Sequence, residues 1–260
     1  MRIAASRNTA GQRKGKVLAI VTSHDQLGGT GYRTGYWMPE LAYPYLALMS
    51  AGYDVEVASP MGGRAPVDPY SDPGSPSSQP ADALECTKLL AHEDHRRKLA
   101  NTLQLSAIKR EDYVAVWLVG GYGAALEFGG DMVIPEVVQA LWDAGGVVGA
   151  IGHGTHGLLH VKTSDGNLLI AGRDVTGFSK AEDQAVEQAV GFSFLPSYIE
   201  DELRVRSARY QCSDPFQPFA VASEDGRLVT GQQMFSGDVF GKKFIDALEE
   251  ARDATMIQGE

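Results

Sequence analysis

The chain has 260 residues, 33 of them acidic and 23 basic, for a formal charge of −10, with 30 glycines and two cysteines. That length suits one large α/β domain or two small ones. The acidic balance argues against sequence-independent nucleic-acid binding, which needs clustered Lys and Arg, and no apolar run approaches the roughly 18 to 20 residues that cross a bilayer.

Residues 1–15 are polar, with Arg2, Arg7, Arg13 and Lys14 and no apolar stretch, and read as a disordered leader. Residues 16–255 read as a single domain. Val17 to Thr22 is a short, continuously apolar run of the kind a strand buried on both faces requires. Pro39 suits the first turn of a helix over Glu40 to Ala51 that stops at Gly52. Further apolar runs lie at Val55 to Ala58, Val114 to Val119, Val147 to Ile151 and Leu228 to Thr230. Helical patterns fall between them, near Leu84 to Leu105, Pro135 to Ala144, Gly154 to Val161, Lys180 to Ala189 and Ser236 to Ala251. Strands alternating with helices define the fold class: an α/β three-layer sandwich with a mostly parallel central sheet, flavodoxin-like. Ligands in such sheets bind beyond the carboxyl ends of the strands, where the turns Gly120-Gly121-Tyr122-Gly123 and Gly152-His153-Gly154 fall. The proline-rich stretch Gly62 to Pro80 opens a segment, about 62–110, that reads as a lid or insertion above the sheet.

Several segments resemble a known superfamily. Gly120-Gly121-Tyr122-Gly123-Ala124 resembles its GGHGA turn, and Ala150-Ile151-Gly152-His153-Gly154 resembles its A-V-C-H-G nucleophile elbow. Thr34 to Leu41 resembles its TG-x-x-x-x-EL segment; Val67-Asp68-Pro69, Thr176 to Asp183 and Leu228 to Gln233 match in order. These are marks of the ThiJ/PfpI superfamily, within the class I glutamine-amidotransferase-like fold, and the TGFS segment with the insertion points to its heat-shock chaperone and glyoxalase III branch. The departure lies at the centre. Where the superfamily has its elbow cysteine this chain has Gly152, and where it has the GGHGA histidine this chain has Tyr122. Cys86 and Cys212 lie at neither turn, and two cysteines suit a reducing, cytoplasmic setting.

The resemblance implies catalytic roles for Glu40, whose pKa should rise by burial, for His153 as a base, and for Glu182 as the acidic partner of His153 in preference to Asp183. It places the backbone amides of Gly121 and His153 as an oxyanion hole. Gly121, Tyr122, Gly152, Tyr36, Trp37 and Phe178 are the expected substrate-binding residues, and a missing side chain at Gly152 leaves room there. Neither His92 with His95 nor His153 with His156 and His160 supplies the four ligands of a structural zinc, so no metal and no cofactor are expected. The implied function is a cysteine-independent enzyme that acts on a small aromatic or carbonyl-containing molecule by acid–base chemistry: hydration, elimination, isomerisation or hydrolysis. The alternatives are a catalytically dead chaperone or binding protein and residual glyoxalase III-like activity. The expected partner is a small-molecule substrate, with neither nucleic acid nor membrane, and a homodimer follows from the resemblance alone.

Overall fold

The computed structural model describes residues 13–78 and 83–258. The strands are β1 (Lys16–Ile20), β2 (Asp54–Ser59), β3 (Leu103–Gln104), β4 (Ala115–Leu118), β5 (Val147–Ile151), β6 (Asp174–Val175), β7 (Arg209–Tyr210), β8 (Ala220–Ala222) and β9 (Leu228–Gly231). The helices are α1 (Met38–Ser50), α2 (Ala83–Ala91), α3 (Glu93–Ala100), α4 (Tyr122–Glu127), α5 (Val133–Asp143), α6 (Lys180–Val190), α7 (Ile199–Val205) and α8 (Gly237–Gln258). Seven strands form one sheet in the order β3-β2-β1-β4-β5-β9-β8, and β6 pairs with β7 separately. All pairs in the large sheet are parallel except β8 with β9 at one edge.

The apolar runs become strands because both their faces are covered, and alternate residues divide between two cores. Val17, Ala19, Trp117, Ile151 and Val229 face α1, α2 and α8, whereas Leu18, Ile20, Val116, Leu118, Val148 and Ala150 face α4, α5 and α7. In α1, Leu41, Ala42, Tyr45 and Leu48 bury one stripe at helical spacing, and Pro39 begins the helix. Gly241 of α8 packs against the backbone of Pro44, where an added Cβ would stand 3.3 Å from the proline Cα.

The expected helix over residues 84–105 is instead two helices and an edge strand. The backbone of His92 is extended (φ −91°, ψ 124°), Glu93 and Asp94 open α3, and β3 then pairs with β2. Similarly, the turn after β5 is a 3₁₀ segment, Gly152–Leu158, rather than an α-helix. Most of the expected leader lies outside the described residues, but residues 13–15 are tied down: Lys14 N donates to Gly52 O at 3.1 Å and Asp54 N to Gly15 O at 2.9 Å. No helix among the described residues is long and apolar enough to cross a membrane.

Candidate active site

The β5 run ends at Ile151, and the chain turns sharply into the 3₁₀ segment. Gly152 makes that turn at φ +54°, a left-handed conformation that glycine adopts at little cost. One strand over, β4 leads into α4 through Gly121 at φ +108°. The segment before α1 is strapped onto this second turn: Trp37 N donates to Gly120 O at 2.9 Å, and Gly123 N to Gly35 O at 3.2 Å. The strap carries Glu40, in the first turn of α1, over the carboxyl end of β5.

Glu40 is 2% exposed. A Cβ added at Gly152 would stand 2.7 and 2.9 Å from its two carboxyl oxygens. The space vacated by an elbow side chain is therefore filled by Glu40 and is not open, a correction to the expectation of room at Gly152. Oε2 has no hydrogen-bond partner among the described residues. Burial pushes the Glu40 pKa from 4.5 up to about 8; a backbone hydrogen bond from Gly120 opposes this, and the nearby charge of Glu182 adds to it. Near neutrality this carboxyl group holds its proton.

His153 is equally buried, and its Nε2 lies 3.0 Å from Oδ1 of Asp183. The ring stacks on Phe178 at 4.4 Å and meets Tyr122 at 4.6 Å. Tyr122 also donates its hydroxyl to Asp183 Oδ1, at 3.3 Å, while Asp183 Oδ2 has no partner among the described residues. Burial first, and the Asp183 charge second, push the Tyr122 phenol far above its usual range, so it acts as a donor. The His156 Nδ1 lies 3.0 Å from the His153 carbonyl, and burial, then His153, push its pKa down to about 3. A neutral His156 donates to that carbonyl and supports the turn.

Glu182 does not partner His153. It is N3 of α6, where its Oε2 accepts from Ser179 N at 2.8 Å in a reciprocal cap, and its Oε1 accepts from Phe216 N and Gln232 Nε2. The next residue along the helix, Asp183, turns toward His153 instead. Adjacent helical residues face different directions, so the two carboxylates of this pair cannot both face His153.

A cavity of about 750 Å³ opens beside this cluster. Of the expected binding residues, Trp37 and Tyr122 line it; Tyr36 and Phe178 do not, being 2% and 3% exposed beneath the surface. Glu40, Gly121, Gly152 and His153 do not line it, and Tyr122, which does, is in ring contact with His153 at 4.6 Å. The remaining wall comes from residues that no motif marked, among them Tyr32, Asp68, Tyr70, Val186, Phe194, Phe216 and Phe235. The available signal was aromatic residues close after Gly or Pro and outside any helical periodicity: Tyr70 next to Pro69, Phe216 next to Pro215, and Phe194 three residues after Gly191. The proline-rich stretch is held in place through Asp68, which accepts from Thr34 Oγ1 at 2.8 Å and Tyr70 N at 3.0 Å.

Elsewhere, Cys86 is buried in α2 and Cys212 is exposed, neither near the elbow. His95 is buried with Nδ1 against the Leu89 carbonyl, and His160 is exposed. Among the described residues no three His, Cys, Asp or Glu side chains gather as a metal site.

The chain belongs to the DJ-1/PfpI family, whose model matches residues 34–247. Its sequence is 27% identical over 241 residues to a probable glutathione-independent glyoxalase of Schizosaccharomyces pombe, covering 84% of this chain and 92% of that one. It is 26% identical over 242 residues to a glutathione-independent glyoxalase of Saccharomyces cerevisiae, covering 90% and 98%. The structure resembles a Francisella tularensis rapid encystment protein of 24 kDa, with a TM-score of 0.80 and 29% identity over 90% of this chain and 99% of that one. The glyoxalase III of Candida albicans shares the fold, with a TM-score of 0.75 and 24% identity over 90% and 97% of the two chains. Together these relatives support an enzyme of the DJ-1/PfpI family.

Proposed function

We propose that the protein is a cysteine-independent enzyme acting on a small carbonyl-containing molecule of aromatic size, with Glu40 as general acid and His153 as base. One observation carries this reading: the Glu40 carboxyl group occupies the space above Gly152 where an elbow side chain would stand, with one oxygen unpartnered. A carboxylic acid still protonated near neutral pH can give its proton to a carbonyl oxygen or a leaving group. His153, donating Nε2–H to Asp183, keeps Nδ1 as an acceptor for the complementary proton. No covalent intermediate is needed, and hydration, elimination, isomerisation and hydrolysis all fit this pair. A cavity of about 750 Å³ walled by aromatic rings suits a flat ligand better than a two-carbon or three-carbon aldehyde. Tyr122 lines the cavity and lies against His153, so the substrate approaches the pair along this ring.

A second reading is a binding or chaperone protein that kept the fold without the chemistry. It is favoured by the burial of Glu40 away from the cavity lining and by the half-exposed rings of Tyr32 and Tyr70 in the cavity wall. Turnover separates the two. A thermal-shift screen of aromatic aldehydes, ketones and their acids identifies ligands, and each ligand is then assayed for conversion by wild type, Glu40→Gln and His153→Ala. The enzyme reading expects conversion that falls about 100-fold or more in each variant. Ligands that bind all three proteins and are converted by none establish the binding reading. Production of a 2-hydroxy acid from a short 2-oxoaldehyde would bring this chain to the activity named for its relatives. A homodimer is proposed on the resemblance alone and is checked by sedimentation.

A further inference from the structure

Glu182 is fully buried, and its contacts lead away from His153 toward the cavity wall. Its Oε1 accepts from the Phe216 amide at 2.6 Å and from Gln232 Nε2 at 3.0 Å. Gln232 in turn accepts from Ser213 N at 2.8 Å, so the two side chains grip both ends of the turn Ser213 to Phe216. Phe216 has φ +62°; the other non-glycine residue with positive φ among those described is Ser207, which follows the end of α7. A bulky residue in the left-handed region is strained and persists where its surroundings hold it there. Glycine or asparagine would relieve that strain, yet the chain places an aromatic ring at this point, and the ring lines the cavity.

We propose that Phe216 is a specificity-determining residue and Glu182 its positioning residue: the carboxylate pins the Phe216 backbone in its left-handed conformation and thereby sets the ring as one wall of a site for flat aromatic ligands. The inference rests on the reading of this cavity as the substrate site. It gives Glu182 a role that does not pass through His153.

The probe is the flat aromatic dye 8-anilinonaphthalene-1-sulfonate, titrated against the full chain and followed by fluorescence. Val186→Trp, which fills the cavity from α6, abolishes binding. Phe216→Ala raises the dye Kd about tenfold by removing the wall. Glu182→Gln raises it comparably, and adds nothing in the Phe216→Ala background, because the carboxylate acts through the ring. Independently of any ligand, Phe216→Gly melts above Phe216→Ala, the reverse of the usual order, since glycine relieves the left-handed strain. If Glu182→Gln does not fold, this melting order and the Phe216→Ala Kd decide. A Phe216→Ala Kd within twofold of wild type, while Val186→Trp still abolishes binding, overturns the role of Phe216. An equal Glu182→Gln effect with and without the ring, or Phe216→Ala melting above Phe216→Gly, overturns the clamp. Dye binding unchanged by Val186→Trp removes the cavity as the site, and this inference falls with it.

Discussion

Gly152→Ala adds one methyl group at the centre of the proposed site, and its cost follows from two features. The backbone there lies at φ +54°, where an L-residue costs about 1–2 kcal/mol. The new Cβ would also lie 2.7 and 2.9 Å from the Glu40 oxygens, and forcing a buried group aside costs about 1–3 kcal/mol more. A loss of roughly 2–5 kcal/mol, at about 2–4 °C per kcal/mol for a chain of this size, lowers the melting temperature by roughly 4–20 °C. Circular dichroism of wild type, Gly152→Ala, Glu40→Ala and the double variant measures this directly. If the two side chains compete for one space, the double variant loses less than the sum of the singles, by about 1–3 kcal/mol. A Gly152→Ala protein melting within about 1 °C of wild type, or strict additivity in the cycle, would refute the claim that Glu40 fills the elbow.

Three further outcomes are expected. Because the folded-state pKa of Glu40 is raised from 4.5 to about 8, the folded chain keeps a proton that the unfolded chain releases. The stability this contributes is complete below pH 4.5, declines as pH rises, and is gone above about pH 8. Urea unfolding across that window should show the decline in wild type and a flatter profile in Glu40→Gln; parallel profiles would contradict it. Asp183→Asn should lower kcat about 100-fold by misorienting His153, whereas Glu182→Gln should act mainly on KM; the reverse assignment would restore Glu182 as the partner. Tyr122→Phe removes only a long hydrogen bond of 3.3 Å, so it should cost less than about 1 kcal/mol of stability in urea unfolding; a loss well beyond that would show the phenol to be structural.

The sheet was legible because its strands are buried on both faces: Val17 to Thr22, Val114 to Val119 and Val147 to Ile151 are apolar without interruption. Two-residue strands such as β3, β6 and β7 carry no such signature, and the break at His92 depends on how α2 and α3 pack rather than on a Gly or Pro. At the proposed site, His153 and Tyr122 were legible because each follows a glycine turn at a strand end, and Glu40 and Trp37 because the TG-x-x-x-x-EL resemblance marked their segment. The preference for Glu182 over Asp183 passed over a legible sign: Ser179 stands three residues before Glu182, the capping-box spacing that commits Glu182 to the start of α6 and leaves Asp183 for His153. Tyr36 is next to the cavity residue Trp37 in sequence and Phe178 lies in a matched motif, but both side chains are buried away from the cavity lining. The wall formed by Tyr70, Phe194 and Phe216 comes from three segments far apart in the chain, brought together by the tertiary fold.

General-acid catalysis at this site requires a protonated Glu40 in the place of an elbow nucleophile. Its most direct test is a carbon-13 NMR titration of the side-chain carboxyl groups, with Glu40→Gln used to assign the Glu40 resonance. That resonance should shift with a midpoint near pH 8. A midpoint near the ordinary 4.5 would mean that Glu40 is ionised at neutral pH and cannot serve as the general acid.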